Sequence, residues 1–195
     1  MRVLLFLKSV VVLLALMSLL GCAASPVRHG PPSDSDIASL ERMILALGPG
    51  VSAEEAERAA RVAFQHTREL AVSYQITSSP LWHNTQVNLG IKERGLCWHW
   101  AEDMEERLLA ERLETLEIHR AIANAFNPLR IEHSTAAISR KGDGLEHGIV
   151  LDPWRLGGTL TFVPVLDDPD YTWEERERVL AKKRRRSAGR LAVPG

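Results

Sequence analysis

Ile37, Leu40, Ile44 and Leu47 recur at the spacing of one helical face, and Gly48-Pro49-Gly50 ends that run. Ser52 with Glu55 has the pattern of a capping box and opens a second helix through about Tyr74. Val62, Leu70 and nearby alanines give it an apolar face. Residues 76–94 lose all periodicity; Ser, Thr, Asn, Gly and Pro dominate, and the stretch reads as an irregular approach to Cys97. From Cys97 to about Arg112 the helical period returns, with Trp100, Met104 and Leu108 on one side. Alternating and β-branched positions then predict strands over 115–123, 131–140, 146–152 and 159–165. A last helix is expected from Trp173 through the basic run 182–186, followed by a frayed end. Helices first and consecutive strands afterwards make an α+β fold: N-terminal helices, then a helix bearing Cys97 packed on an antiparallel sheet.

The chain has 195 residues and room for one proper core. Arg2 and Lys8 precede a short uncharged apolar stretch that ends Leu19-Leu20-Gly21-Cys22, the layout of a secretory signal rather than a spanning helix. Those last four residues resemble the bacterial lipobox. The resemblance implies cleavage before Cys22, diacylglycerol and acyl chains such as palmitate on this residue, and stable anchoring by them. Ala23 at the next position implies the outer membrane, facing the periplasm. The expected organisation is a signal over 1–21, a lipidated, flexible tether over 22–36, one domain over 37–180 and a basic, disordered tail over 181–195. Losing Arg2 and Lys8 with the signal moves the formal net charge from −1 to −3, and a chain so near neutrality gives no reason to expect nucleic acid as a partner.

Two cysteines are present, and lipid on Cys22 leaves Cys97 as the only thiol, without an internal disulfide partner. It stands in Gly95-Leu96-Cys97-Trp98, at a helix start that favours a thiolate over a thiol. His133 and Asp152 follow in the order of a base and the carboxylate that orients it. The turn Lys141-Gly142-Asp143-Gly144 decides whether these two can meet. With Gly142 and Asp143 as a two-residue loop they face each other directly. With Asp143 and Gly144 they are diagonal neighbours on one face, and an unbulged three-residue loop separates them. Thr135, Ala137, Gly148 and Val150 share their face, and these mostly small side chains would let the Cys97 helix come close.

Together Gly95-Leu96-Cys97-Trp98, His133 at a strand start and Asp152-Pro153 at the end of the next resemble the transglutaminase-like branch of the papain-like cysteine hydrolases, over roughly residues 80–165. The resemblance implies a transglutaminase-like core with Cys97 as nucleophile, His133 as base and acid, and Asp152 as the orienting carboxylate. It implies acyl transfer to water or an amine, with a peptide, a protein or a cell-wall peptide as substrate and no cofactor. The Cys97 amide would be one oxyanion donor; Gln75, Asn84 and Gln86 are candidates for the second, and Trp82 and Trp98 for substrate contact. Ser134 and Thr135 depart from the small-then-aromatic pair that often follows the family histidine. The alternative is a catalytically inactive lipoprotein of the same fold that binds an envelope partner, with Cys97 packed as a small hydrophobe. No histidine or cysteine pair has a familiar metal-ligand spacing, so no metal is expected. His99, two residues from Cys97, is expected to turn away from it, and His119 and His147 to lie on the surface.

Overall fold

The computed structural model describes residues 33–191, so the signal expected over 1–21 and the lipidation expected at Cys22 lie outside the described residues. Helix α1 spans Asp34–Leu45, α2 Ala53–Ser73, α3 Pro80–Asn88 and α4 Cys97–Leu109. Strands follow: β1 Leu116–Ala123, β2 His133–Arg140, β3 Ile149–Asp152, β4 Thr161–Pro164 and β5 Glu174–Glu175, before α5 at Arg176–Leu191. The five strands form one antiparallel sheet in the order β4-β3-β2-β1-β5. The fold is α+β. No helix among the described residues is long and apolar enough to cross a membrane.

Ser33 caps α1 by accepting from the Asp36 amide, so the helix begins inside the stretch expected to be tether. Ser52 likewise accepts from the Glu55 amide. The other half of that capping box is re-routed. The buried Glu55 carboxylate reaches across to the amides of Glu114 and Thr115, at 2.7 and 2.8 Å, while the Ser52 amide donates to Thr115 Oγ1. A cap thereby pins α2 to the entrance of β1. Residues 76–94 are not wholly irregular, because Ser79 and Pro80 open α3 in the N-cap and N1 positions. Only His83 of α3 is fully buried, which is why no apolar stripe announces the helix.

The sheet has two unlike faces. Ala136, Ile138, Ile149 and Leu151 pack against Ile37, Leu40 and Ile44 of α1 and Met104 and Leu108 of α4. Ala137 and Val150, on the opposite side, meet Leu145, Val165 and Trp173. The small face carrying His133 and Asp152 is therefore not the one that receives α4, contrary to the sequence-based expectation. Nor is the β2–β3 connection a two-residue turn. Asp143 grips Arg140 through both carboxylate oxygens at 2.9 Å, and a 3₁₀ turn at Leu145–His147 turns Leu145 into the lower core. Gly148 closes this loop where a Cβ would stand 2.8 Å from the Ile138 carbonyl oxygen. The register is that of the diagonal alternative, not of direct pairing: Ala136 faces Leu151 and Ile138 faces Ile149, so Asp152 falls opposite Thr135 and one diagonal step from His133.

At the C-terminal end, Glu174 and Glu175 pair with β1 instead of starting a helix. α5 begins at Arg176 and continues to Leu191, into the expected frayed end and through much of the expected disordered tail.

Candidate active site

Three side chains hold the turn that delivers Cys97. His83 Nε2 bonds the Arg94 carbonyl at 2.9 Å, and Trp100 Nε1 donates to the Gly95 carbonyl at 3.0 Å. His99 Nδ1 accepts from the amides of both Gly95 and Leu96 at 3.1 Å. His99 thus turns away from the thiol, as expected, but it is buried and caps α4 from within. Burial above all, and Arg94 nearby, lower its pKa, which suits a ring that must accept two N–H groups. Gly95 is required here. Its φ is +123°, and a Cβ on it would stand 2.3 Å from His83 Nε2.

Cys97 is half-buried, with Sγ 3.8 Å from the Glu132 carbonyl oxygen at the head of β2. Contact is made around the end of the strand, not across its small face. Neither the Cys97 nor the Trp98 amide is hydrogen-bonded among the described residues, as expected of the first turn of a helix. Both are available to a developing oxyanion.

His133 and Asp152 are 2% and 0% exposed, and His133 Nε2 lies 2.6 Å from Asp152 Oδ2. Nδ1, the other ring nitrogen, is buried without a hydrogen-bond partner among the described residues. Burial alone would push His133 down; Asp152 beside it, with a smaller contribution from the neighbouring Cys97, carries it up to about 9. Burial would raise Asp152, yet His133 and Arg155 hold it below the ordinary carboxylate value. Asp152 accepts from four groups: His133 Nε2, Arg155 Nε at 3.0 Å, and the amides of Trp154 and Arg155 at 3.1 and 3.2 Å. The guanidinium of Arg155 then continues to Asp168 at 2.6 and 3.0 Å, and Asp168 also accepts from Trp173 Nε1. Trp154, Tyr171 and Trp173 surround the His133 ring at 4.6–5.3 Å between centroids. A dry, aromatic cage of this kind fixes the imidazole and strengthens its ion pair.

Of the weaker candidates, Asn84 is drawn in: its Oδ1 accepts from Trp154 Nε1 at 3.1 Å, and its amide nitrogen has no hydrogen-bond partner among the described residues. Gln86 Oε1 is buried without a partner among the described residues. Gln75 is exposed and bound to Lys92. Trp82 and Trp98 are 56% and 45% exposed, so neither is core. Trp100 and Trp154 are buried. His119 is half-buried between Glu175 and Ser139, while His147 is exposed in the 3₁₀ turn. Trp154 was expected in the core or beside a cleft near Cys97; Arg155, Tyr171 and Trp173 are what sequence reasoning missed. Arg155 lies three residues beyond Asp152, but its second partner is thirteen further on.

Beside His133 opens a cleft of about 160 Å³, lined by Leu81, Ile131, Trp154 and Tyr171 together with Asn124 and Arg130. A larger hollow, about 500 Å³, runs along α2 past Gln65, Arg68, Glu69, Val72 and Ser73, none of them a nucleophile beside a base. Among the described residues no three His, Cys, Asp or Glu side chains are grouped to hold a metal ion. Comparison with protein-family models, curated proteins and solved structures finds no match to this chain.

Proposed function

We propose that this chain is a lipid-anchored cysteine hydrolase of the bacterial cell envelope, built on a transglutaminase-like core and acting on an amide or ester through Cys97, His133 and Asp152. The observation that carries this reading is the buried His133–Asp152 pair, with Nδ1 unpartnered among the described residues and Cys97 neighbouring the ring. Cys97 gives its proton to His133, and its sulfur attacks the carbonyl carbon. The oxyanion takes the Cys97 and Trp98 amides, with the Asn84 amide nitrogen as a side-chain donor. His133 returns the proton to the leaving nitrogen or oxygen as that bond breaks. Water, deprotonated by His133, then cleaves the thioester and restores the thiol. Asp152 stays ionised throughout and orients the ring.

The test is alkylation of Cys97 by iodoacetamide across pH in the full chain carrying Cys22→Ser, beside the same chain with His133→Ala. Reactivity that persists below pH 7 and drops at least about tenfold in the variant supports the pair. Reactivity that rises only near the ordinary thiol value of about 8.5, equal in both chains, removes the catalytic reading.

A further inference from the structure

The cleft beside His133 is small, apolar-walled and electrostatically one-sided. Its volume of about 160 Å³ holds roughly five waters at about 30 Å³ each. A single amino-acid residue fits; a drug-sized ligand, needing about 300 Å³ or more, does not. Leu81, Ile131 and Trp154 supply apolar wall, and no carboxylate among the described residues lines it. Besides His133, the cationic side chain on its lining is Arg130. One guanidinium nitrogen of Arg130 donates to the Asp170 carbonyl at 2.8 Å, and the group lies 5.4 Å from the Tyr171 ring centroid. Its other two nitrogens make no hydrogen bond, and no acidic side chain comes within ion-pair distance of it, among the described residues. Every other arginine of the site is committed: Arg155 to Asp152 and Asp168, Arg94 to Asp103 and Arg120 to Glu105. A planar fork held at one corner and open at the others is suited to a carboxylate.

His133, and not Cys97, lines this cleft. The group that receives the His133 proton is the leaving amine, so the cleft is the place of the leaving residue. We propose that the cleft binds the C-terminal residue of a peptide, its free α-carboxylate on Arg130 and a small or apolar side chain against Leu81, Ile131 and Trp154. This rests on the hydrolase reading and makes the enzyme a carboxypeptidase. Sulfur bonds to the penultimate carbonyl carbon, the C–N bond breaks, the His133 proton goes to nitrogen, and one free amino acid departs. Water then releases the shortened peptide from Cys97.

Binding tests this apart from turnover. The full chain carrying Cys97→Ala is titrated calorimetrically with N-acetylated tetrapeptides ending in Ala or Leu, each as the free acid and as the C-terminal amide. The acid is expected to bind at least tenfold more tightly than the amide. Adding Arg130→Gln brings the acid down to the amide, Arg130→Lys restores part of the preference, and Arg184→Gln, on the exposed basic stretch of α5, leaves it intact. Equal affinity for acid and amide, no binding of either at millimolar concentration, or a preference that survives Arg130→Gln overturns the proposal. The alkylation profile of Cys97 is read separately. Acid-selective binding without His133-dependent alkylation keeps the carboxylate site and discards the hydrolase; the reverse keeps the hydrolase and discards the site.

Discussion

Two cations converge on the Asp152 carboxylate, His133 at 2.6 Å and Arg155 at 3.0 Å, and the pair with His133 is sealed from water. Its pH dependence has a definite sign. His133 is raised to about 9, so the stability it contributes is complete below its ordinary value of about 6.5 and is lost as pH rises through about 9. Asp152 is lowered, so its contribution is present above about 3.9 and is lost only as pH falls through its depressed value. The rise of His133 corresponds to something on the order of 3 kcal/mol. Urea unfolding of the wild type and of His133→Gln should therefore differ most between about pH 4.5 and 6.5. The gap should narrow steadily toward pH 10, and a gap independent of pH would refute the ion pair. Cys97, His133 and Asp152 could be singled out as candidates because each is chemically distinctive and their order along the chain is informative. Arg155 was not, since an arginine after a strand reads as a surface cation until Asp168 folds back onto it.

The same trade between local and distant information governs the elements. Strand parity told that His133 and Asp152 share a face, and it holds, although the turn assumed for it does not exist. The burial of Leu145 replaced the tight turn while keeping the register, and nothing within Lys141-Gly142-Asp143-Gly144 announces that burial. α3 was missed because its sequence has end signals but no stripe. Yet α3 supplies His83, against which the turn before Cys97 is moulded. Gly95→Ala should accordingly destabilise the fold by about 3 kcal/mol or more, combining a left-handed backbone cost of about 1–3 kcal/mol with the overlap on His83. In a His83→Ala background the overlap disappears and only the backbone cost remains. A double-mutant cycle by chemical denaturation should therefore show the pair less damaging than the sum of the singles, by about 1 kcal/mol or more. Strict additivity would mean that His83 does not shape the turn. His99 adds an opposing titration, because its lowered pKa makes acid, rather than alkali, the threat to the cap on α4.

At the scale of the molecule, the α+β order was readable from where helical periodicity gives way to alternation. The course of the C-terminal segment was not, because charge density alone cannot distinguish a solvated end from one laid over a neighbour. In the fold, α5 crosses the loop between β1 and β2, which forms one wall of the cleft. Lys183 pairs with Glu132, and the Arg186 guanidinium lies 3.9 Å from the centroid of the Phe126 ring. Glu132 in turn offers its carbonyl to Cys97 and precedes His133. Neither contact is strong: a half-exposed ion pair contributes at most about 1 kcal/mol, and an exposed cation–π contact about 0.5–1. Their combined loss is too small to unfold the domain but large for one loop, where about 1–2 kcal/mol changes an opening equilibrium some five- to thirtyfold. The double variant Lys183→Ala/Arg186→Ala should therefore keep the wild-type denaturation midpoint to within a small shift. Amide hydrogen exchange should accelerate at least fivefold over 124–132 and stay unchanged in the paired core of β2 and β3. Cys97 alkylation should change with it, since the thiol rests on the backbone of that loop. A uniform acceleration across the sheet would instead make α5 a general brace, with no particular hold on the cleft.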